Sequence, residues 1–403
     1  MTKKKSLIIR DAVHGDIHFD HPVFGELIDS AEFQRLRRIA QLGGAQFAYP
    51  TATHTRFSHS IGVYWVIKMF LSNPQISRAL TNHDQELVLI AGLLHDLGHG
   101  PFSHSFEHIT KLHHEEYSQK IIVNPQGNIA AILTKYGYQP QDVAAIIQGT
   151  YPNQIVNLLV SSQLDADRLD YLKRDAYFAG VNYSSLDVSW LVNNARVVDQ
   201  KIAFNAKAVY AVESYLLGRY HMFKQVYNHK ISLAFDALIQ VWFLRVKDLW
   251  QANYQFANPR LLYFFESLLK GEGLSLERYQ QLDDFTMDEI FKLTASESDP
   301  ILADLATKIL NRQFFKIYKE NEIDKQTIQI RLAQQKLDPT YYTFQSEPKK
   351  LYVYQNQYDG SKDEEIYFYQ NDQQLMTLSA LSELNSSFEK INKEKVQQYI
   401  FIF

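Results

Sequence analysis

Ala91-Gly92-Leu93-Leu94-His95-Asp96-Leu97-Gly98-His99-Gly100-Pro101-Phe102-Ser103-His104 is the stretch on which the reading of this chain turns. An apolar run opening at Asp84-Gln85-Glu86-Leu87 reads as one helix through Leu97, apolar on most sides, stopped by Gly98 and Gly100-Pro101. At its end a His and an Asp stand side by side. Burying two such groups costs free energy unless something pairs with them. Neutral imidazole and carboxylate oxygen together suit a divalent cation. Adjacent helical residues project about 100° apart, which suits two neighbouring positions around an octahedral ion. A helix C-terminus with His95 facing the dipole and Asp96 capping a turn accounts for the same dipeptide, so a metal site needs further ligands.

Two other segments offer them. Thr55-Arg56-Phe57-Ser58-His59-Ser60-Ile61-Gly62 places His59 at a helix start, with Arg56 just before it and suited to grip phosphate as a planar fork. His54, in the preceding turn, is a rival ligand with a surface or supporting role as its alternative. In Gln163–Asp175, the residues Asp167, Tyr171 and Asp175 recur at i, i+4 and i+8 on one helix face, while Leu164, Leu169 and Leu172 serve packing. A solvated helix with internal ion pairs would look the same. Histidine distribution also marks this half of the chain, since 12 of the 14 fall within residues 1–114.

Composition limits what such a site can be. With 46% hydrophobic and 21% charged residues over 403 positions, the chain is globular rather than disordered or fibrous. The 25 Tyr and 25 Phe supply large buried faces. A net charge of −4 makes nucleic acid an unfavoured main partner, leaving phosphate binding to local clusters: Lys3-Lys4-Lys5, read as a solvated end, and Arg35, Arg37 and Arg38. The absence of cysteine excludes disulfides, thiolate ligands and a thiol nucleophile. No run approaches the roughly 20 apolar residues of a membrane span, so no membrane partner and a cytoplasmic location are expected.

Organisation follows the same periodicities. Ser6–Ile9 and Asp11–Ile17 predict a short extended or hairpin element. Asp29/Ser30 caps a helix that Gly43-Gly44 ends. Helical patterns run over Ser60–Leu71, Asp142–Thr150, Asn153–Phe178, Ala206–Asp248, Pro259–Lys270 and Asp299–Lys316. Near the C-terminus, Leu351–Tyr354 and Ile366–Tyr369 alternate across Asp359-Gly360 and predict a β-hairpin. The expected fold is mainly α: a helical domain over residues 1–320 with a short N-terminal extended element, and a C-terminal α+β region over 321–403.

His59, His95-Asp96 and Asp167 together match the H…HD…D signature, and the chain resembles the HD superfamily of metal-dependent phosphohydrolases. Gln41–Gly44, His54–Gly62, Ala91–Ser103 and Asp167–Asp175 are similar to its deoxynucleoside triphosphate triphosphohydrolase branch, over about residues 8–235. The resemblance implies an HD-domain helical core with one divalent ion per subunit (Mn, Mg, Fe, Zn, Ni or Co) on those four ligands. It implies a dNTP substrate cleaved at the α-phosphate to deoxynucleoside and inorganic triphosphate. His104 and His114 become the catalytic partners, with Glu107 and Glu115 orienting them, while His99, His108 and His113 stay mainly structural. Arg56 would meet phosphate, Gln41 and Tyr171 the sugar, Asp175 a sugar hydroxyl, and Tyr227 the substrate, with a tyrosine under the deoxyribose excluding a 2′-hydroxyl. Asp29, Gln34, Arg37 and Arg196 match residues that bind a guanine-nucleotide activator, dGTP or GTP, between subunits of a homotetramer, and Lys230 would meet a nucleotide phosphate. Trp190 departs from that pattern by replacing a basic residue. Two other readings share the same ligands: hydrolysis of another phosphoester (a monophosphate, a cyclic dinucleotide or an alarmone), and a non-catalytic nucleotide sensor.

Overall fold

Helices dominate the computed structural model, which describes residues 7–346, 352–354, 357–358, 362–363, 365–370, 375–392 and 398–403. Lys3-Lys4-Lys5, Leu351 and Asp359-Gly360 lie outside the described residues, as does the side chain of His104. The expected N-terminal hairpin forms as β1 (Leu7–Asp11) and β2 (Gly15–Phe19), paired antiparallel with Ile9 opposite Ile17. Helix α1 (Pro22–Asp29) follows, and Ser30 then caps the next turn by accepting from the Phe33 amide at 3.3 Å.

That turn does not run on as the pattern suggested. Ala31–Gln34 tightens into a 3-10 segment at Arg35–Arg38, and Gly43-Gly44 begins a second 3-10 segment, Gly43–Phe47, rather than ending a helix. Arg35 explains part of the change. It is buried, donating from Nε and Nη2 to the Leu282 carbonyl at 2.9 and 2.6 Å, so the arginine cluster is not one exposed phosphate-binding patch.

The central layer comprises α2 (Arg56–Ser72), α3 (Asn82–Leu94), α4 (His104–Thr110), α5 (His114–Val123) and α6 (Ala166–Ala179). Helix α2 packs against both α3 and α6. The helix expected over Asn153–Phe178 is two, because Gln154–Val160 ends at Ser161 and Asp165 starts α6 afresh, accepting from the Arg168 amide at 2.7 Å. Two strands that the sequence did not announce, β3 (Ala195–Val198) and β4 (Lys201–Asn205), precede α7 (Val209–Met222). A π-turn at Phe223–Tyr227 then separates α7 from α8 (Lys230–Gln251), where one continuous helical pattern was expected. Pro259–Lys270 and Asp299–Lys316 appear as the shorter helices Arg260–Leu269 and Pro300–Leu310, with α9 (Asp284–Thr294) between them.

Apolar side chains gather in two cores. One spans the N-terminal helices and α7 and takes in Val353, Ile366, Phe368 and Phe388. The other surrounds α8, with Trp242 buried among Phe265, Phe291 and Leu302. It is closed by β5 (Lys316–Lys319), β6 (Thr343–Ser346) and the central strand β9 (Tyr399–Ile402).

The predicted C-terminal hairpin is corrected. Among the described residues around the turn, Gln357–Tyr358 and Lys362–Asp363 pair antiparallel. Residues 352–354 form no strand, and β7 (Tyr367–Tyr369) pairs instead with β8 (Leu375–Thr377) and, in parallel, with β4. Burial of Phe368 and Ile366 in the first core draws that segment onto β4. No helix among the described residues is long and apolar enough to cross a membrane.

Candidate active site

His59 lies in the first turn of α2, fully buried. Its Nδ1 is 2.8 Å from Asp170 Oδ2 and its Nε2 2.9 Å from Asp167 Oδ1, both carboxylates projecting from α6. His95, at the C-cap of α3, has Nδ1 2.8 Å from the Gly92 carbonyl, which only accepts. Its Nδ1 therefore carries the hydrogen and its Nε2 presents a lone pair. That Nε2 is buried with no hydrogen-bond partner, and stands 3.2 Å from Asp96 Oδ1 and 3.6 Å from Asp167 Oδ1.

Ligand atoms of His59, His95 and Asp96 lie within 4.8 Å of one another. Two imidazoles and two carboxylates converge there, and a cation seated among them would offset the cost of their burial. With protons alone, the consequence is visible in the pKa values. Burial pulls the His59 pKa down, but the bonds to Asp167 and Asp170 outweigh it and raise it to about 10. Burial alone would raise Asp96, yet the His95 and Arg56 charges hold it well below the usual carboxylate range. A nitrogen and oxygen donor set of this kind fits a divalent metal ion.

Asp170, which the sequence reading passed over, anchors the cluster from behind. It is fully buried, and besides His59 it meets His14 Nε2 at 2.6 Å and accepts from Arg174 Nε at 2.8 Å. Helix α2 comes this close to α6 because residue 62 is glycine: a Cβ there would fall 1.9 Å from Asp170 Oδ1 and 2.4 Å from Arg174 Nη2.

Asp96 and Asp167 open into a cavity of about 340 Å³, which Gln41, Arg56, Tyr171, Asp175 and Tyr227 also line. The five residues expected at the substrate are thus brought together. Arg56 is not a free fork: it is buried, with Nη1 2.7 Å from Asp96 Oδ2 and Nε 3.1 Å from Ser103 Oγ. Asp175 is held between His54 Nε2 and the Tyr227 hydroxyl, each at 2.8 Å. This places His54 in a supporting position, its ring stacked on Phe178. The Gln41 Oε1 is buried without a partner.

His114 lines the cavity from the start of α5. Its Nδ1 bonds to Glu107, whose Oε1 also accepts from the His114 amide at 3.0 Å. Glu115 is exposed in the first turn of α5 and does not line the cavity. His99, read as mainly structural, also lines the cavity, with Nε2 3.3 Å from Asp96 Oδ1 and its ring stacked 3.9 Å from that of His114. Its pKa is driven down by burial and by the Arg56 charge, which keeps the imidazole neutral. His108 and His113 are absent from the lining.

The loop carrying Phe102 and Ser103 has both residues at positive φ, 53° and 55°, a conformation costly for side chains other than glycine. Asp284 of α9 holds it: Oδ1 accepts from the Phe102 amide at 2.7 Å and Oδ2 from the Ala40 amide at 2.8 Å. Ser103 Oγ, in turn, donates to the Ala40 carbonyl at 2.9 Å. Neither Asp170 nor Asp284 carries a sequence signal that separates it from its acidic neighbours.

The residues matched to an activator site lie outside the cavity. Asp29 is exposed at the end of α1, Gln34 donates to the Ile28 carbonyl at 2.8 Å, and Arg37 Nε donates to Gln34 Oε1 at 2.9 Å, so these three share one surface. Arg196 sits on β3 with its guanidinium over Tyr369, and Lys230 starts α8. Trp190 is exposed and is approached by the Lys207 ammonium at 5.3 Å.

Residues 56–154 match the HD domain family, and residues 186–245 the HD associated region. The chain is 37% identical over 342 residues to the uncharacterized protein YwfO of Bacillus subtilis, covering 83% of this chain and 78% of that one. It is 31% identical over 286 residues to the deoxynucleoside triphosphate triphosphohydrolase SAMHD1 of Homo sapiens, covering 60% of this chain but only 45% of that protein. Among solved structures, a phosphohydrolase from Bacteroides thetaiotaomicron superposes with a TM-score of 0.85 at 28% identity, covering 99% of this chain and 100% of that one.

Proposed function

The chain belongs to the HD-domain family, and from that premise we propose that it hydrolyses deoxynucleoside triphosphates to deoxynucleoside and inorganic triphosphate. The observation that carries this reading is the junction of the His/Asp cluster with the cavity lined by Gln41, Arg56, Tyr171, Asp175 and Tyr227. In the reaction a water oxygen bonds to the α-phosphorus, the bond from phosphorus to the 5′-oxygen breaks, and that oxygen leaves with a proton.

His59, His95, Asp96 and Asp167 would hold the divalent ion, which when bound lowers the pKa of water and polarises a phosphoryl oxygen. Arg56 balances Asp96 and adds positive charge beside the phosphates. His114, oriented through Nδ1 by Glu107, holds the proton for the leaving oxygen, with His104 as its partner. Asp175 accepts from a sugar hydroxyl, and the unpartnered Gln41 Oε1 is available to the sugar as well. Tyr171 packs under the deoxyribose, where a 2′-hydroxyl has no room. Glu115 is assigned the support of the His104 side. On the outer surface, Asp29, Gln34 and Arg37, joined by Arg196 and Lys230, take dGTP or GTP between subunits of a homotetramer.

The test is product analysis. The protein is incubated with each of the four dNTPs and Mn or Mg, with and without added dGTP, and the phosphates are separated by ion exchange. Inorganic triphosphate is expected. Monophosphate plus pyrophosphate alone, or no turnover of any dNTP, overturns the reading. Light scattering with and without nucleotide tests the assembly, which a persistent monomer would refute.

A further inference from the structure

Asp236 is the charged group of the cavity that the chemistry above leaves unused. It projects from α8 one turn beyond Ser232, and both residues line the cavity. Among the described residues its carboxylate has one polar partner, Ser105 Oγ, which donates to Oδ1 at 2.5 Å. No cation pairs with it among the described residues. Burial pushes its pKa up to about 6 against the opposing Ser105 bond. Near neutral pH it is a poorly solvated anion with acceptor capacity unspent.

A second group on the same wall is also incomplete. Ser232 Oγ is buried with no hydrogen-bond partner, although its residue is only 5% exposed. Buried polar groups are normally satisfied, so the Ser232 hydroxyl, one helical turn from Asp236 on the same cavity wall, is open to a polar ligand. The wall itself is stiff. A Cβ on Gly44 would fall 2.6 Å from Phe235 Cδ1, and one on Gly43 2.9 Å from the Phe102 carbonyl oxygen. Helix α8 packs against this glycine turn and against α4, whereas the cluster of His59, His95 and Asp167 is carried by α2, α3 and α6. Asp236 therefore reaches the cavity from a different helix than the four proposed metal ligands.

We propose that Asp236 reads the nucleobase and selects guanine. The inference rests on the nucleotide reading of the site. Guanine offers two adjacent donors on one edge, N1–H and the 2-amino group, and two carboxylate oxygens accept such a pair, Oδ1 retaining a lone pair while bonded to Ser105. The Ser232 hydroxyl can then donate to the neighbouring 6-carbonyl. Thymine presents a single N–H between two carbonyls, and adenine and cytosine place a ring acceptor beside their amino group. Each of these sets an acceptor against the carboxylate, and a buried mismatch of that kind is what gives hydrogen-bonding sites their discrimination.

The experiment measures equilibrium binding of the α,β-imido analogues of the four dNTPs to the full chain in Mn. The dGTP analogue is expected to bind at least roughly ten-fold more tightly than the dTTP analogue, the order expected of one well-placed polar contact pair. Asp236→Asn replaces an acceptor by a donor, and should bring that ratio to within about two-fold and favour adenine, whose edge pairs a donor with an acceptor. Equal binding of all four analogues, or a guanine preference that survives Asp236→Asn, overturns the proposal. Should that variant fail to fold, Ser105→Ala removes the one contact that positions the carboxylate and should lower the ratio by roughly three-fold or more; an unchanged ratio overturns the proposal equally. The hydrolytic reading fails separately, if the preference is present but no triphosphate is released. If no analogue binds, both fail.

Discussion

Asp170 carries more of the site than its silence in the sequence suggests. It accepts from His59 Nδ1 at 2.8 Å and so turns Nε2 toward Asp167, 2.9 Å away, the other proposed ligand it meets. Carboxylates behind a ligating histidine fix its tautomer and raise its basicity, and losing one costs roughly 10–100-fold in metal affinity. Asp170→Asn is therefore expected to weaken Mn binding by about that factor, read by titration against a competing chelator, whereas His95→Ala should abolish stoichiometric metal altogether. Full retention of metal by Asp170→Asn would mean that the His59 ring is held by its packing alone. At this scale the four candidate ligands were legible as residue types at matching positions. Asp170 was not, because only the fold shows which of the acids at 165, 167, 170 and 175 faces His59.

Helix α3 delivers His95 and Asp96, and its start is secured by one carboxylate. Asp84 accepts from the Thr81 amide at 3.2 Å, the Tyr151 hydroxyl at 3.0 Å and Asn153 Nδ2 at 3.2 Å, while its own amide donates to Thr81 Oγ1 at 3.0 Å. Burial would raise its pKa, but the Thr81, Tyr151 and Asn153 bonds outweigh burial and hold it below the ordinary value. The unfolded chain then binds more protons in acid, so this contribution is present above the unfolded carboxylate pKa of about 3.9 and is lost as pH falls through the folded value. Asp84→Ala should cost about 1–2 kcal/mol in urea unfolding at pH 7, and in acid, below the folded carboxylate value, the part owed to the charge is lost. A difference from wild type that is equal at pH 7 and in acid would assign the effect to packing instead. The α2–α6 contact makes a second element-scale prediction. Gly62→Ala forces a methyl into the pinned Asp170–Arg174 pair and should destabilise by about 3 kcal/mol or more, at the upper end of overpacking costs; a melting temperature within a degree of wild type would contradict it.

For the whole molecule, α8 is the member shared between the cavity and the second core. Its Ser232 and Asp236 line the cavity, while Trp242 and Val246 are buried in the second core. Strand β9 helps to close that core as the central strand of its sheet, Phe401 opposite both Ile317 and Phe344. Deleting residues 399–403 should expose the sheet interior and lower the melting temperature by roughly 5 °C or more, since about 1 kcal/mol corresponds to a few degrees in a domain of this size. An unchanged thermal transition would show that α8 is supported by its helical neighbours alone.

By itself the sequence determined the largely helical architecture, through the spacing of apolar residues, and four candidate ligands, through the H…HD…D pattern and the matches around it. It also placed the end of α3 before Gly98 and Gly100-Pro101, although the helix closes at Leu94 and not at the expected Leu97. Tertiary structure decided what periodicity does not encode. It broke the helix at Ser161–Asp165 and placed β7 against β4 rather than in a local hairpin, because burying Ile366 and Phe368 in the first core outweighs pairing with a neighbour in sequence. It recruited Asp284 from 182 residues beyond Phe102 to hold a strained loop. It also withdrew Arg35 into the interior while leaving Arg37 at the surface. The physical reason is the same in each case: local patterns report which face of an element is apolar, whereas the partner of a buried polar group is chosen by whichever distant segment the packing brings within hydrogen-bond reach.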